Sequence, residues 1–148
     1  MQGRGSRSAP IEVLLVEDGP GDVRLTREAI RDAGAKLALH VANDGIEAME
    51  FLERRGQFSA APRPNLILLD LNLPRLDGRE VLEAIKGDPA LMNIPVVILT
   101  TSESETDVMQ SYGLHANCFI TKPTNVEALV EILHFWVAVA RLPHEVGN

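Results

Sequence analysis

The chain has 148 residues, enough for one domain with a real core, since domains run to roughly 100–200 residues. With 45% hydrophobic residues it reads as a globular protein, and its net charge of -7 excludes nucleic acid or an anionic membrane as the main partner, because phosphates would be repelled. The single cysteine, Cys118, excludes an internal disulfide and suits a reducing cytoplasm, and no apolar run approaches membrane-spanning length.

Met1 to Pro10 holds arginines, glycines and serines without an apolar core. It therefore reads as a disordered tail rather than a secretory signal. The folded domain is expected over residues 11–142, with residues 143–148 as a second tail. Ile11 to Val16 is the first strand, turning through Glu17-Asp18-Gly19-Pro20-Gly21. A helix follows from about Asp22, with Val23, Ile30 and Ala33 on one face and Gly34 as its stop. Leu37, Leu39 and Val41 alternate as a second, edge strand. Asp44 with Glu47 forms a capping-box pattern for a helix whose Ile46, Met49 and Leu52 point inward.

A Pro/Ala/Ser-rich loop leads to the central stretch, Leu66-Ile67-Leu68-Leu69-Asp70. This run is almost wholly apolar, ends on a carboxylate and is bounded by Pro64 and Pro74, as expected of a strand buried on both faces. A helix over Arg79 to Lys86 stops at Gly87-Asp88-Pro89, and Pro95 opens a strand from Val96 to Thr100. Ser102 and Glu105 cap a further helix carrying Val108, Met109 and Tyr112, and Cys118 to Thr121 is the last strand. Thr124 and Glu127 cap a long final helix to about Ala140. Alternating strands and helices demand right-handed crossovers, so the fold class is α/β with a doubly wound five-stranded parallel sheet.

In such sheets ligands bind beyond the carboxyl ends of the strands. Glu17, Asp18, Asp70, Thr100 and Lys122 all fall at that edge. Like charges at ~4 Å repel by about 4 kcal/mol per pair at an effective dielectric near 20. Lys122 supplies one positive charge, and a divalent cation would supply the rest. An oxygen-only ligand set with room for water suits Mg²⁺. Beside such a cation an aspartate can act as nucleophile toward a phosphoryl group, with the metal and a lysine neutralising the transferred oxygens.

From Ile11 to about Ala140 the chain resembles the receiver domain of two-component response regulators. The resemblance rests on Glu17-Asp18, on Asp70 before Asn72-Leu73-Pro74 and Asp77-Gly78, on Thr100, and on Lys122-Pro123, in that order. It implies a flavodoxin-like fold with strand order 2-1-3-4-5, an order that general accounts of doubly wound sheets already illustrate with a member of this family. It also implies that Asp70 is the phosphoacceptor. Asp18, Asp70 and the main-chain carbonyl of Asn72 would hold Mg²⁺, with Glu17 acting through water. Lys122 and Thr100 would bind phosphoryl oxygens, and Thr100 and Phe119 would form the switch. The protein would signal by changing shape, with no enzymatic turnover beyond its own phosphorylation and dephosphorylation.

The loop before Asn65 and the stretch Tyr112 to Phe119 are similar to regulators paired with bacterial phytochromes. The partner implied is a histidine kinase of that kind, and the location implied is the cytoplasm. Three features depart from the family's pattern. Glu17 replaces the commoner aspartate, Thr101 stands where alanine is frequent, and Phe119 lacks a tyrosine hydroxyl.

Other readings of the same residues fail on spacing. A calcium loop from Asp70 would place Pro74 and Arg75 at its fifth and sixth positions and lacks the glutamate at the twelfth. Gly19-Pro20-Gly21 lacks the third glycine of a dinucleotide loop. The four histidines show no metal-ligand spacing. The rival function is an Mg²⁺-dependent phosphatase with an aspartate nucleophile. Such enzymes carry a second aspartate two residues on, where this chain has Asn72.

The final helix is apolar on two flanks. Leu129, Leu133, Trp136, Val137 and Ala140 can pack on the sheet, whereas Ala128, Ile132, Phe135, Val139 and Leu142 form a second row. A homodimer through Ile132, Phe135, Val139 and Leu142 is expected, and the resemblance to phytochrome regulators points the same way.

Overall fold

Five apolar runs become five parallel strands in the computed structural model, which describes residues 9–34, 36–73, 75–101, 116, 118–122 and 124–140. The strands are β1 (Ile11–Val16), β2 (Leu37–Ala42), β3 (Leu66–Asp70), β4 (Val96–Thr100) and β5 (Cys118–Thr121). Among the described residues the helices are α1 (Pro20–Asp32), α2 (Gly45–Glu53), α3 (Gly78–Lys86) and α4 (Val126–Ala140), with a 3-10 turn at Gly56–Phe58. The expected helix through Val108, Met109 and Tyr112 lies outside the described residues, as do Leu142 and residues 1–8 and 141–148.

The sheet order is β2-β1-β3-β4-β5, with every neighbouring pair parallel. The fold is therefore the flavodoxin-like one expected. Because side chains alternate across a strand, each central strand feeds two cores. Leu14, Val16, Ile67, Leu69, Val96 and Ile98 pack with Phe51 and Leu52 of α2 and Val81, Leu82 and Ile85 of α3. Val13, Leu15, Leu66, Leu68, Val97 and Leu99 pack on the other face with Ala29 and Ala33 and with Leu129, Leu133 and Val137 of α4. β3 and β4 are buried at every position, which explains why they read as unbroken apolar runs.

The structure corrects three local readings. α1 begins at Pro20 rather than Asp22, because proline needs no N–H partner in the first turn and its φ is already helical. Ile46 points to solvent, and the inward face of α2 is Gly45, Ala48, Phe51 and Leu52. Gly45 lies so close to the next loop that a Cβ there would stand 2.2 Å from the Leu76 carbonyl oxygen. The closest approach falls on the smallest residue, and Ile46 is turned outward. Finally, α4 is capped by Asn125, whose Oδ1 accepts from the Ala128 N–H at 2.8 Å, and not by Thr124 with Glu127.

The Asp44–Glu47 box is present in shifted form. Asp44 Oδ1 accepts from the Glu47 N–H at 2.8 Å, but Glu47 Oε1 accepts from Asn43 N–H at 2.7 Å, one residue before the cap. A complete box forms instead at α3, between Asp77 and Glu80. It fixes the start of α3 close to the end of β3. Gly78 is needed there, since a Cβ would lie 2.5 Å from the Asp70 carbonyl oxygen and 2.7 Å from Leu71 Cα.

Candidate functional site

The carboxyl ends of β1, β3, β4 and β5 converge as the topology requires. Asp70 is the last residue of β3, and its side chain is 5% exposed. Its Oδ1 accepts from the Asn72 N–H at 3.0 Å, and its Oδ2 accepts from Lys122 Nζ at 3.2 Å. Both oxygens are thus oriented by donors on two different loops. Glu17 follows β1 and is also buried, with Oε1 accepting from Lys122 Nζ at 2.9 Å and Oε2 from the Gly19 N–H at 3.1 Å.

Asp18 is exposed at the rim. Oxygens of Glu17, Asp18 and Asp70 lie within 4.8 Å of one another. Lys122 follows β5, where its N–H donates to the Thr100 carbonyl at 2.7 Å. That bond ties the lysine loop to the end of β4. Thr100 is fully buried, and Asn72 Nδ2 donates to Thr101 Oγ1 across the site at 3.4 Å.

The electrostatics follow from this crowding. Glu17 is pushed up to about 7, chiefly by burial; the Lys122 hydrogen bond opposes this and the Asp70 charge adds to it. Burial pulls the Lys122 ammonium down, but its hydrogen bonds and charge contacts with Glu17, Asp22 and Asp70 outweigh that and hold it above the ordinary lysine value. A buried carboxylate that lysine cannot keep fully ionised is the mark of a site short of positive charge. The donor set of three carboxylates therefore fits a hard divalent cation.

The structure brings together Glu17, Asp18, Asp70, Asn72, Thr100 and Lys122, as expected from their strand-end positions. Phe119 lies apart from them, half-buried on β5 beside Ile98, and packs against the core shared with α2 and α3. Cys118 is half-buried against the opposite core. Ile132 and Val139 are half-buried on α4, and Phe135 is 59% exposed, with its ring edge-on to Trp136 at 4.9 Å.

One site residue escaped the sequence reading. Asp22, in the first turn of α1, accepts from Lys122 Nζ at 3.1 Å. A signal for it exists in the spacing. Asp22, Thr26, Ala29 and Ala33 recur at four- and three-residue intervals, and Thr26, Ala29 and Ala33 are buried. A carboxylate at the head of that inward stripe has to face the sheet edge.

Comparison with known proteins agrees with this geometry. Residues 13–134 match the response regulator receiver domain. Response regulator Rcp1 of Synechocystis is 48% identical over 138 residues, covering 90% of this chain and 94% of that protein. A probable methanogenesis regulatory protein, FilR2 of Methanothrix harundinacea, is 37% identical over 90% of this chain and 88% of its own. Among solved structures, the phosphorylated cyanobacterial phytochrome response regulator RcpA superposes with a TM-score of 0.79 at 47% identity, covering 91% of this chain and 99% of that one. The Mn(2+)-bound form of Rcp1 gives 0.79 at 48% identity over 90% and 99%. With the sheet order, the acidic strand ends and the lysine after β5 in place, the chain belongs to the response regulator receiver domain family.

Proposed function

We propose that this protein is a phosphorylated signalling switch that takes its phosphoryl group on Asp70 from a histidine kinase, in particular a bacterial phytochrome. The observation that carries this reading is a buried strand-end carboxylate held between the Asn72 N–H and Lys122 Nζ beside the oxygens of Glu17 and Asp18. An Asp70 oxygen attacks the phosphorus of phosphohistidine while the P–N bond breaks. The bonding pair leaves with the imidazole nitrogen, which takes up a proton, and Asp70 becomes an acyl phosphate. Lys122 turns to a phosphoryl oxygen, and the Thr100 hydroxyl donates to another.

Asp18, Asp70 and the Asn72 carbonyl would hold Mg²⁺, with Glu17 acting through water. When bound, the cation supplies charge neutralisation for the phosphoryl oxygens. The kinase assignment draws support from the similarity to RcpA, described as a phytochrome response regulator, and the metal assignment from the Mn(2+)-bound form of Rcp1. Among the described residues no helix is long and apolar enough to cross a membrane.

Phosphorylation acts by population shift. Reversing a 1:99 mixture takes ~5.5 kcal/mol of differential binding. Charge-assisted hydrogen bonds from Lys122 and Thr100, at about 1.5–3 kcal/mol each, can supply much of it. Phe119 takes part through packing alone, since it has no hydroxyl.

Labelling against turnover tests the function. With Mg²⁺ and a small phosphodonor the protein is expected to take up acid-labile phosphate to at most one per chain and to leave a generic phosphate ester uncleaved. Sustained turnover of the ester would favour the aspartate-nucleophile phosphatase instead.

We infer in addition that α4 forms a homodimer interface through Ile132, Phe135 and Val139; Leu142, assigned with them from the sequence, lies outside the described residues. Phe135 is 59% exposed beside the half-buried Ile132 and Val139, which gives α4 an exposed apolar surface of the kind that marks interfaces. In a twofold arrangement the same row meets itself. Sedimentation of wild type and Phe135→Asp is expected to give a dimer and a monomer respectively. A monomeric wild type, phosphorylated or not, overturns the interface.

A further inference from the structure

We propose that Asp22 is a positioning residue for Lys122, the anchor that the ammonium releases when a phosphoryl group arrives on Asp70. The inference rests on the receiver reading above. It begins with donor counting. A lysine ammonium has three N–H donors and no acceptor. Lys122 Nζ meets three carboxylates, Glu17 at 2.9 Å, Asp22 at 3.1 Å and Asp70 at 3.2 Å. One donor is committed to each, so the ammonium can reach a new oxygen only by leaving an old one.

The three anchors are unequal. The Glu17 and Asp70 side chains are 1% and 5% exposed, whereas Asp22 is 43% exposed. A buried carboxylate stripped of its cation is strongly disfavoured. An exposed one is rehydrated at little cost. The phosphoryl oxygens on Asp70 lie farther out than the carboxylate oxygen that Lys122 now meets, so the ammonium has to swing to follow them, and that swing is made at the expense of Asp22.

The backbone holds Asp22 ready for this role. Val23 N–H donates to the Gly19 carbonyl and Thr26 Oγ1 to the Asp22 carbonyl, which closes the first turn of α1, and the Gly19 N–H donates to Glu17 Oε2, which ties that turn to the residue after β1. The Glu17 and Asp22 carboxylates close over Gly19, where a Cβ would lie 3.2 Å from Glu17 Oε2 and 3.3 Å from Asp22 Oδ2. Asp22 therefore competes with the phosphoryl oxygens for one ammonium. The consequence is a phosphorylated state held less tightly than the rest of the site would permit.

Calorimetric titration with beryllofluoride, a tetrahedral stand-in for the phosphoryl group, tests this on the full chain with Mg²⁺ present. Asp22→Asn and Asp22→Ala are expected to bind the probe about two- to fivefold tighter than wild type, the range of a partly exposed ion pair. Asp22→Glu, which keeps the carboxylate, is expected to stay near wild type. Asp32→Asn removes the same charge at the far end of α1 and is expected to leave affinity unchanged. Unchanged or weaker binding by Asp22→Asn overturns the proposal, as does equal tightening by Asp32→Asn, which would assign the effect to net charge. A shift in denaturation midpoint without a shift in affinity also overturns it, leaving Asp22 as a structural ion pair. If wild type itself fails to bind the probe, the receiver reading falls and this inference with it.

Discussion

Lys122→Ala is expected to lower the stability of the metal-free protein by about 3 kcal/mol at pH 7.5, the low end of the cost of breaking a buried ion pair. The reason is local. Glu17 and Asp70 are buried, and Lys122 is the cation that bridges them. Removing it leaves both carboxylates without their shared donor, in a place where water replaces it poorly.

The loss has a defined pH dependence. Glu17 in the folded protein is raised from 4.5 to about 7, first by burial. A raised carboxyl pKa contributes stability that is fully present below the unfolded value and is lost as pH rises through the folded one. Wild-type stability is therefore expected to fall between about pH 4.5 and 7 in the absence of metal. In Lys122→Ala the opposing hydrogen bond is gone, so Glu17 climbs further and the variant falls more steeply. The gap between the two proteins should narrow as pH is lowered toward 5 and when Mg²⁺ is added at pH 7.5. Urea denaturation across this range checks the expectation. Equal stabilities at pH 7.5, or a gap that ignores both pH and metal, would show that the three contacts to Lys122 do not carry the site's charge balance.

Much of this arrangement could be read from the residues in order. The bounds of β3 and β4 followed from runs with no polar interruption, flanked by Pro64, Pro74 and Pro95, because strands covered on both faces have no solvent side to alternate with. Once the strands were placed, a parallel sheet delivered Glu17, Asp70, Thr100 and Lys122 to one edge without further assumption.

What escaped was governed by closeness rather than hydrophobicity. On α1 Val23, Ile30 and Ala33 marked the inner face; Ala33 is buried, but Val23 and Ile30 are only half-buried against that core, and the fully buried positions missed are Thr26 and Ala29. Small side chains let that helix approach the sheet and α4, where His134 Nε2 lies 2.7 Å from the Ala33 carbonyl oxygen. Asp22 was hidden for the same reason, since it heads the stripe of small residues. Ile46 was assigned inward on hydrophobicity, but Gly45 holds the contact with Leu76. Asn125 rather than Thr124 caps α4, a choice between adjacent cap-forming residues that depends on where the first helical turn closes.

The largest effect is expected at Asp70. Its buried carboxylate is held by the Asn72 N–H at 3.0 Å and Lys122 Nζ at 3.2 Å, at the end of the central strand β3. Asparagine in its place preserves the shape but has no anionic oxygen to attack phosphorus, and its amide would face the lysine. Glu17 and Asp18 remain in the variant, so loss of labelling there cannot be ascribed to the absence of carboxylates in general. The direct measurement is uptake of acid-labile phosphate from a phosphorylated histidine kinase by wild type and Asp70→Asn, with and without Mg²⁺. Wild type is expected to accept phosphate only with the metal and Asp70→Asn to accept none; labelling of Asp70→Asn at the wild-type rate and with the same Mg²⁺ dependence would contradict the account.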